Sequence, residues 1–309
     1  MFEAEEKSRL NAFAREKFGV DGHVLPEALA LENLHPSFRD DVMPYFDRHA
    51  IKWWAQGKAK SGSEPKQSLP TGHLNSSQVA CVNHLEPARQ DVEIARSIVR
   101  QIDNSLVDVM PVEDAGYVAY EWIGQRSYLG ESRGRVRGAN VTSLDALMVG
   151  RRDDNTACLV VIEWKYLEHY GNKSVAVSEE GTNRVATYSP LLDAPNCPIQ
   201  VTKKDWLFYE PYYQLMRQTL LAWQMTKARE FGASEWVHVH VVPAGNNALR
   251  SRVPGCAPDL KGETMADAWR SVLQKPDRYH LVSPSELIPA EVPKKWRDWR
   301  NWLNDRYLT

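Results

Sequence analysis

The sequence predicts an α/β fold, a mixed β-sheet flanked by helices, and three observations predict it. Three runs rich in β-branched and aromatic residues follow one another after Pro111: GYVAYEWIG, VTSLDALMVG and ACLVVIEWKYL. Segments with apolar residues at helical spacing stand on both sides of them. A fourth such run, EWVHVHVVP, follows the second helical segment, so the order from about Ser76 is helix, three strands, helix, strand. Packing helices against a mixed sheet is the simplest way to bury those faces.

Each element has its own signal. The first fifty residues carry short helical patterns interrupted at Pro26, Pro36 and Pro44. GKAKSGSEPKQSLPTGH, from Gly57 to His73, has the composition of a loop or linker. LNSSQVACVNHLEP opens with a Ser N-cap and ARQDVEIARSIVRQI continues beyond Pro87, which predicts one kinked helix or two short ones. The three strand runs predict a three-stranded meander. YYQLMRQTLLAWQMTKAREF, from Tyr212 to Phe231, places Leu215, Met216, Thr219, Leu220 and Trp223 on one helical face and ends near Gly232. The region from Ala244 is less regular and closes with PKKWRDWRNWLNDRY, a basic, Trp-rich helix candidate. These readings divide the chain into a helical extension and linker (1–73), a core (74–243) and a C-terminal extension packed on it (244–309). No internal repeat is visible.

Composition narrows the class of protein. The chain has 309 residues, 43% hydrophobic and 25% charged, as expected of a folded domain and not of a disordered one. No stretch approaches the ~18 apolar residues of a membrane span, and the opening MFEAEEKSRLNAFAREKFGV lacks the apolar core of a secretion signal, so a cytoplasmic location is expected. Cys81, Cys158, Cys197 and Cys256 are far apart, without the close pair of a zinc site, and are expected as buried thiols. The formal net charge is −2, so any nucleic-acid surface must be a local patch.

The chemistry concentrates in LVVIEWKYLEHY, from Leu159 to Tyr170. A strand directs residues i and i+2 to one face, so Glu163 and Lys165 emerge together and Trp164 faces the other way. Two further E-x-K triplets, Glu5/Lys7 and Glu64/Lys66, lie in a charged helical segment and in the linker. Only the third ends an apolar strand and follows another strand carrying an acid, Asp145 in TSLDALMVG. Adjacent strands bring Asp145 beside Glu163. Two neighbouring carboxylates repel unless a cation lies between them, and hard oxygen ligands suit Mg²⁺ or Mn²⁺. Such a cation polarises a phosphate oxygen and helps ionise a water, and Lys165 offsets charge developing at phosphorus.

Asp145, the apolar strand and Glu163-Trp164-Lys165, set in that order of elements, resemble the PD-(D/E)xK nuclease superfamily and, more narrowly, its bacterial restriction-endonuclease-like proteins. HLNSSQVACVNHL, RGANVTSLDALM, LVVIEWKYLEHYG and YYQLMRQTLLA carry the resemblance, from roughly His73 to Val242. Leu144 stands where the family's name places a proline. The resemblance implies a restriction-endonuclease-like core, metal ligation by Asp145 and Glu163, a catalytic role for Lys165 and DNA as substrate. It also implies a further acid, for which Glu86, Glu121 and Glu131 are candidates and Glu121 is preferred. Similar helices place a glutamine near the active site, which makes Gln214 a catalytic candidate, with Gln218 one turn on and Arg217 beside them. The basic loop RSYLGESRGRVRG offers Arg133, Arg135 and Arg137 as phosphate contacts, and Lys203 and Lys204 as an extension of that patch. Restriction-like enzymes often cut as homodimers, so a homodimer is implied as well.

Plainer readings compete with each of these. A strand-terminal Glu–Lys pair is, by itself, more often a structural ion pair. His238 and His240 share a strand face but lack a third zinc ligand, so a half-exposed face is expected there. The basic loop reads equally well as solvated surface, and Gln214 and Gln218 as a solvent-facing row. Trp296, Trp299 and Trp302 are expected to pack a helix and not to stack on bases. The function expected from the whole is a metal-dependent DNA endonuclease, of restriction or defence type. The alternatives are a non-catalytic nucleic-acid-binding or scaffold protein, or a nuclease acting on RNA or repair intermediates.

Overall fold

A computed structural model describes residues 2–54, 69–131, 134–138, 141–179, 181–253 and 260–307. Helices α1 (Phe2–Phe18) and α2 (Arg39–Arg48) are joined by short 3₁₀ turns over Glu27–Asn33 and Pro36–Phe38. Helix α3 (Ser77–Gln90) starts at Ser76, whose side chain accepts a hydrogen bond from the Val79 amide at 3.3 Å. Asp91 then adopts an extended backbone and caps α4 (Val92–Ile102) by accepting from the Glu93 amide at 2.9 Å. The break therefore falls at Asp91, while Pro87 lies inside α3. Strands β1 (Leu106–Met110), β2 (Ala119–Trp122), β3 (Leu144–Arg152) and β4 (Ala157–Trp164) follow. After them come α5 (Arg184–Leu192), α6 (Tyr212–Lys227), β5 (Glu235–Val241), α7 (Asn247–Arg250), α8 (Met265–Arg270), β6 (Tyr279–Val282) and α9 (Arg297–Tyr307).

The six strands form one mixed sheet. β2, β3 and β4 make the expected antiparallel meander, and β5 and β6 add to β4 in parallel. β1 and β2 both pair with β3, β1 along its second half and β2 along its first, so they act as one interrupted edge strand. β1 and β6 carry little sequence signal. LVDVM and YHLV are short, polar-interrupted and half-buried, and their pairing is decided by distant partners.

Alternation along β4 sets the two layers. Cys158, Val160, Ile162 and Trp164 enter one core with α1 to α4 and α9, while Leu159 and Val161 enter the other with α5, α6 and α8. The predicted α6 face, Leu215, Met216, Thr219, Leu220 and Trp223, is buried. Cys81, Cys158 and Cys197 are buried free thiols, as expected, whereas Cys256 and the Glu64/Lys66 triplet lie outside the described residues. No helix among the described residues is long and apolar enough to cross a membrane.

The terminal tryptophans pack as expected. Trp296 and Trp299 are buried and Trp302 packs against the same core. Trp299 donates its indole N–H to the Asn83 carbonyl at 2.7 Å, which fixes α9 on α3. Trp299→Ala is expected to lower unfolding free energy by about 3–5 kcal/mol, from lost burial and the cavity left behind. Urea denaturation measures this, and a loss under about 1 kcal/mol would mean that α9 does not support α3.

Candidate active site

Glu163 and Lys165 lie on the α6 side of the sheet, and Trp164 faces α3, where its ring meets His84 at 4.7 Å between centroids. The antiparallel register pairs Ala146 with Ile162, which sets Asp145 beside Glu163. The β2–β3 register pairs Tyr120 with Ala146 and Trp122 with Leu144, which sets Glu121 beside Asp145. One row across three strands therefore carries three carboxyl groups. Glu121 has φ 49°, a left-handed backbone that costs a non-glycine residue about 1–3 kcal/mol. This breaks the pleat and lets its carboxylate accept from Gln78 Nε2 on α3 at 3.0 Å and from Ser143 Oγ at 2.7 Å.

The charges in this row are strongly coupled. Burial, followed by the Glu163 charge, holds the Asp145 carboxyl well above the usual carboxylate range. Burial likewise pushes Glu121 up to about 7, with Glu163 adding to the rise against the hydrogen bonds from Ser143 and Gln78. Asp145 Oδ2 also accepts from the Trp164 amide at 2.6 Å. Lys165 is buried, with Nζ ion-paired to Glu163 Oε1. Burial opposes its charge, yet the neighbouring acids, Glu163 foremost, hold its pKa well above the ordinary value, so it is a cation at neutral pH.

The row opens on a cavity of about 680 Å³ lined by Glu121, Asp145, Gln78, Ser143, Gln214 and Arg217, with Lys7, Trp54 and His169 among the remaining wall. Gln214 thus faces the cavity and accepts from Tyr170 Oη at 3.5 Å. Gln218 is buried behind it and donates through Nε2 to Glu163 Oε2 and, at 3.3 Å, to the Ser143 carbonyl. The two glutamines are therefore not a solvent-facing row. Arg217 bonds Thr142 Oγ1 at 3.3 Å and lies over the Tyr213 ring.

The other candidates lie elsewhere. Glu86 is buried on the opposite side of β2, accepting from Tyr120 Oη at 3.0 Å and Gln90 Nε2 at 3.1 Å. Glu131 ties the entry of β3 through Thr142 and Tyr188. Arg133 lies outside the described residues. Arg135 is exposed and donates to the carbonyls of Ile123 and Gln125 at 3.1 and 3.2 Å. Arg137 is committed to a two-pronged pair with Glu113, at 2.6 and 2.7 Å, and lies over the Trp122 ring. Lys204 pairs with Asp193, and neither it nor Lys203 lines the cavity. The expectation of a half-exposed face for His238 and His240 is corrected: both are 1% exposed, because α6 covers that face of β5. Gln78, Ser143 and Trp54 also line the cavity and carry no local sequence signal, since each reaches the site only through folding.

Among the described residues no group of three or more His, Cys, Asp or Glu side chains is close enough to hold a metal ion unaided. Mg²⁺ needs no such group, because it usually takes one or two carboxylates and completes its shell with waters and substrate phosphates. The donor chemistry fits: the oxygens are hard, and the two carboxyls lining the cavity are raised first by burial and then by neighbouring carboxylate charge, both of which a divalent cation offsets.

No curated protein and no solved structure matched the chain. The fold, with its acids and lysine at one end of a mixed sheet, agrees with a restriction-endonuclease-like architecture, and such a family points to a nuclease-like role. A family model described as "Restriction Endonuclease associating with ARP" matches residues 3–308, nearly the whole sequence, and the chain belongs to that family.

Proposed function

We propose that the protein is a metal-dependent DNA endonuclease that hydrolyses phosphodiester bonds, in a restriction or defence setting. The observation that carries this reading is the row Glu121, Asp145 and Glu163 on three adjacent strands, with Lys165 on the same face and an open cavity in front. Asp145 and Glu163 would hold Mg²⁺ or Mn²⁺ as its two carboxylates, with Glu121 as the third acid of the row beside them. The bound ion would neutralise phosphate charge and lower the pKa of a water.

The chain's own groups supply the remainder. Lys165, ion-paired with Glu163, orients the attacking water through its N–H groups and offsets negative charge at the phosphate. Gln214 positions water or a phosphate oxygen from the cavity wall, and Arg217 presents a fixed positive charge there. Arg135, exposed on its loop, contacts the DNA backbone, whereas Arg137 supports that loop through Glu113 and Arg133 is carried as a phosphate contact on its sequence position alone. A second copy of the chain would supply the cut on the opposite strand.

The test offers plasmid, linear duplex, single-stranded DNA and RNA to the protein with Mg²⁺ or Mn²⁺, and again with EDTA. DNA cleavage that requires the divalent ion is expected. DNA binding without cleavage would overturn the reading in favour of a binding or scaffold role, and cleavage of RNA alone would overturn the substrate.

A further inference from the structure

Glu163 is held from behind by a buried chain of hydrogen bonds whose direction is set by chemistry. Its carboxylate, ion-paired to Lys165, only accepts, so the Gln218 amide must present Nε2 to it. Gln218 Oε1 consequently faces the other way, 3.1 Å from His238 Nε2. An amide oxygen also only accepts, so His238 Nε2 carries the hydrogen. The ring's second nitrogen, Nδ1, is then bare and accepts from Thr219 Oγ1 at 3.1 Å. All four side chains are at most 1% exposed, and Thr219 and Gln218 are consecutive-face residues of α6 above β5.

We infer that His238 is a positioning residue: as the neutral Nε2–H tautomer it locks the Gln218 amide in the one orientation that donates to Glu163, and so aims the Glu163 carboxylate. The functional part of this inference rests on the reading of Glu163 as a metal ligand. Without the imidazole, Gln218 Oε1 is buried with no donor, and the amide is held only through Nε2, by the Glu163 carboxylate and the Ser143 carbonyl. An amide anchored at one end shifts toward a new donor for its oxygen and loosens the Glu163 carboxylate that it holds. Partners that orient a ligating side chain in this way commonly change metal affinity by about 10–100-fold. His240, beside Glu163 in register, does not take part: its Nδ1 meets Tyr279 Oη at 3.1 Å.

The test has two independent readouts. Nitrogen-15 NMR of the wild-type His238 ring is expected to show a protonated Nε2 and an unprotonated Nδ1. Calorimetry with Mn²⁺ is expected to show about tenfold weaker binding for His238→Leu. His238→Gln, whose amide nitrogen replaces Nε2–H, is expected to recover most of that affinity. A protonated Nδ1 with bare Nε2 would overturn the inference, as would folded Leu and Gln variants that both bind Mn²⁺ like wild type. If His238→Leu does not fold, the wild-type ring spectrum decides. A wild type with the expected tautomer but no cleavage of any substrate would instead sink the nuclease reading alone.

Discussion

Lys165→Ala is expected to lower DNA cleavage by about 10²–10³-fold or more, the loss typical of removing one group that stabilises charge in a transition state. The geometry makes the effect large, because Nζ is the partner of Glu163 Oε1 within the acidic row. The variant also leaves Glu163 buried without that partner, and breaking a buried pair commonly costs about 3–5 kcal/mol of stability. Cleavage is therefore measured at a temperature where circular dichroism shows the variant folded. Lys165→Arg is expected to fail as well, since the planar guanidinium is larger and does not fit a site built around a compact ammonium. Full cleavage by folded Lys165→Ala would sink the role given to this lysine.

Divalent binding is expected to tighten as pH rises from 6 to 8. The sign follows from the direction of the shifts: Glu121 is raised to about 7, so below that pH the metal-free protein holds a proton there that a bound metal displaces, and the upward shift of Asp145 acts in the same direction. Raising the pH removes that proton beforehand. Glu121 alone gives about a tenfold gain in Mn²⁺ affinity over those two pH units, from the fraction of ionised carboxylate at each pH. Calorimetry in buffers of different ionisation heat counts the protons released. Asp145→Asn is expected to bind Mn²⁺ at least tenfold more weakly and to release fewer protons. An affinity independent of pH would show that these carboxyls are not the ligands.

The parts of the fold legible in the sequence are those whose signal is local. β4 announces itself through Leu159 to Ile162, an unbroken apolar run buried on both faces, and α6 through its apolar stripe. Asp145, Glu163 and Lys165 were legible because the period of a strand is fixed, so two residues on one strand and one on its neighbour suffice to place them. β1 and β6 were not, since their few residues are strands only by pairing with β3 and β5. Gln78 and Ser143 meet Glu121 from α3 and from the entry of β3, at a residue whose backbone is left-handed, and no spacing rule signals either contact. His238 and His240 alternate like a solvent-facing edge, and only the seat of α6 on β5 makes that face interior. The two glutamines of α6 differ for a similar reason. One turn of helix separates the cavity wall, where Gln214 lies, from the buried contact with Glu163 that Gln218 makes.

The most direct test of the account is a time course of supercoiled plasmid cleavage in Mg²⁺, run with wild type, Asp145→Asn and wild type plus EDTA. The account predicts nicked or linear product from wild type with Mg²⁺ and none from the other two. Equal cleavage by folded Asp145→Asn, or cleavage that survives EDTA, would contradict the assignment of the carboxylate row as a divalent-ion site for phosphodiester hydrolysis.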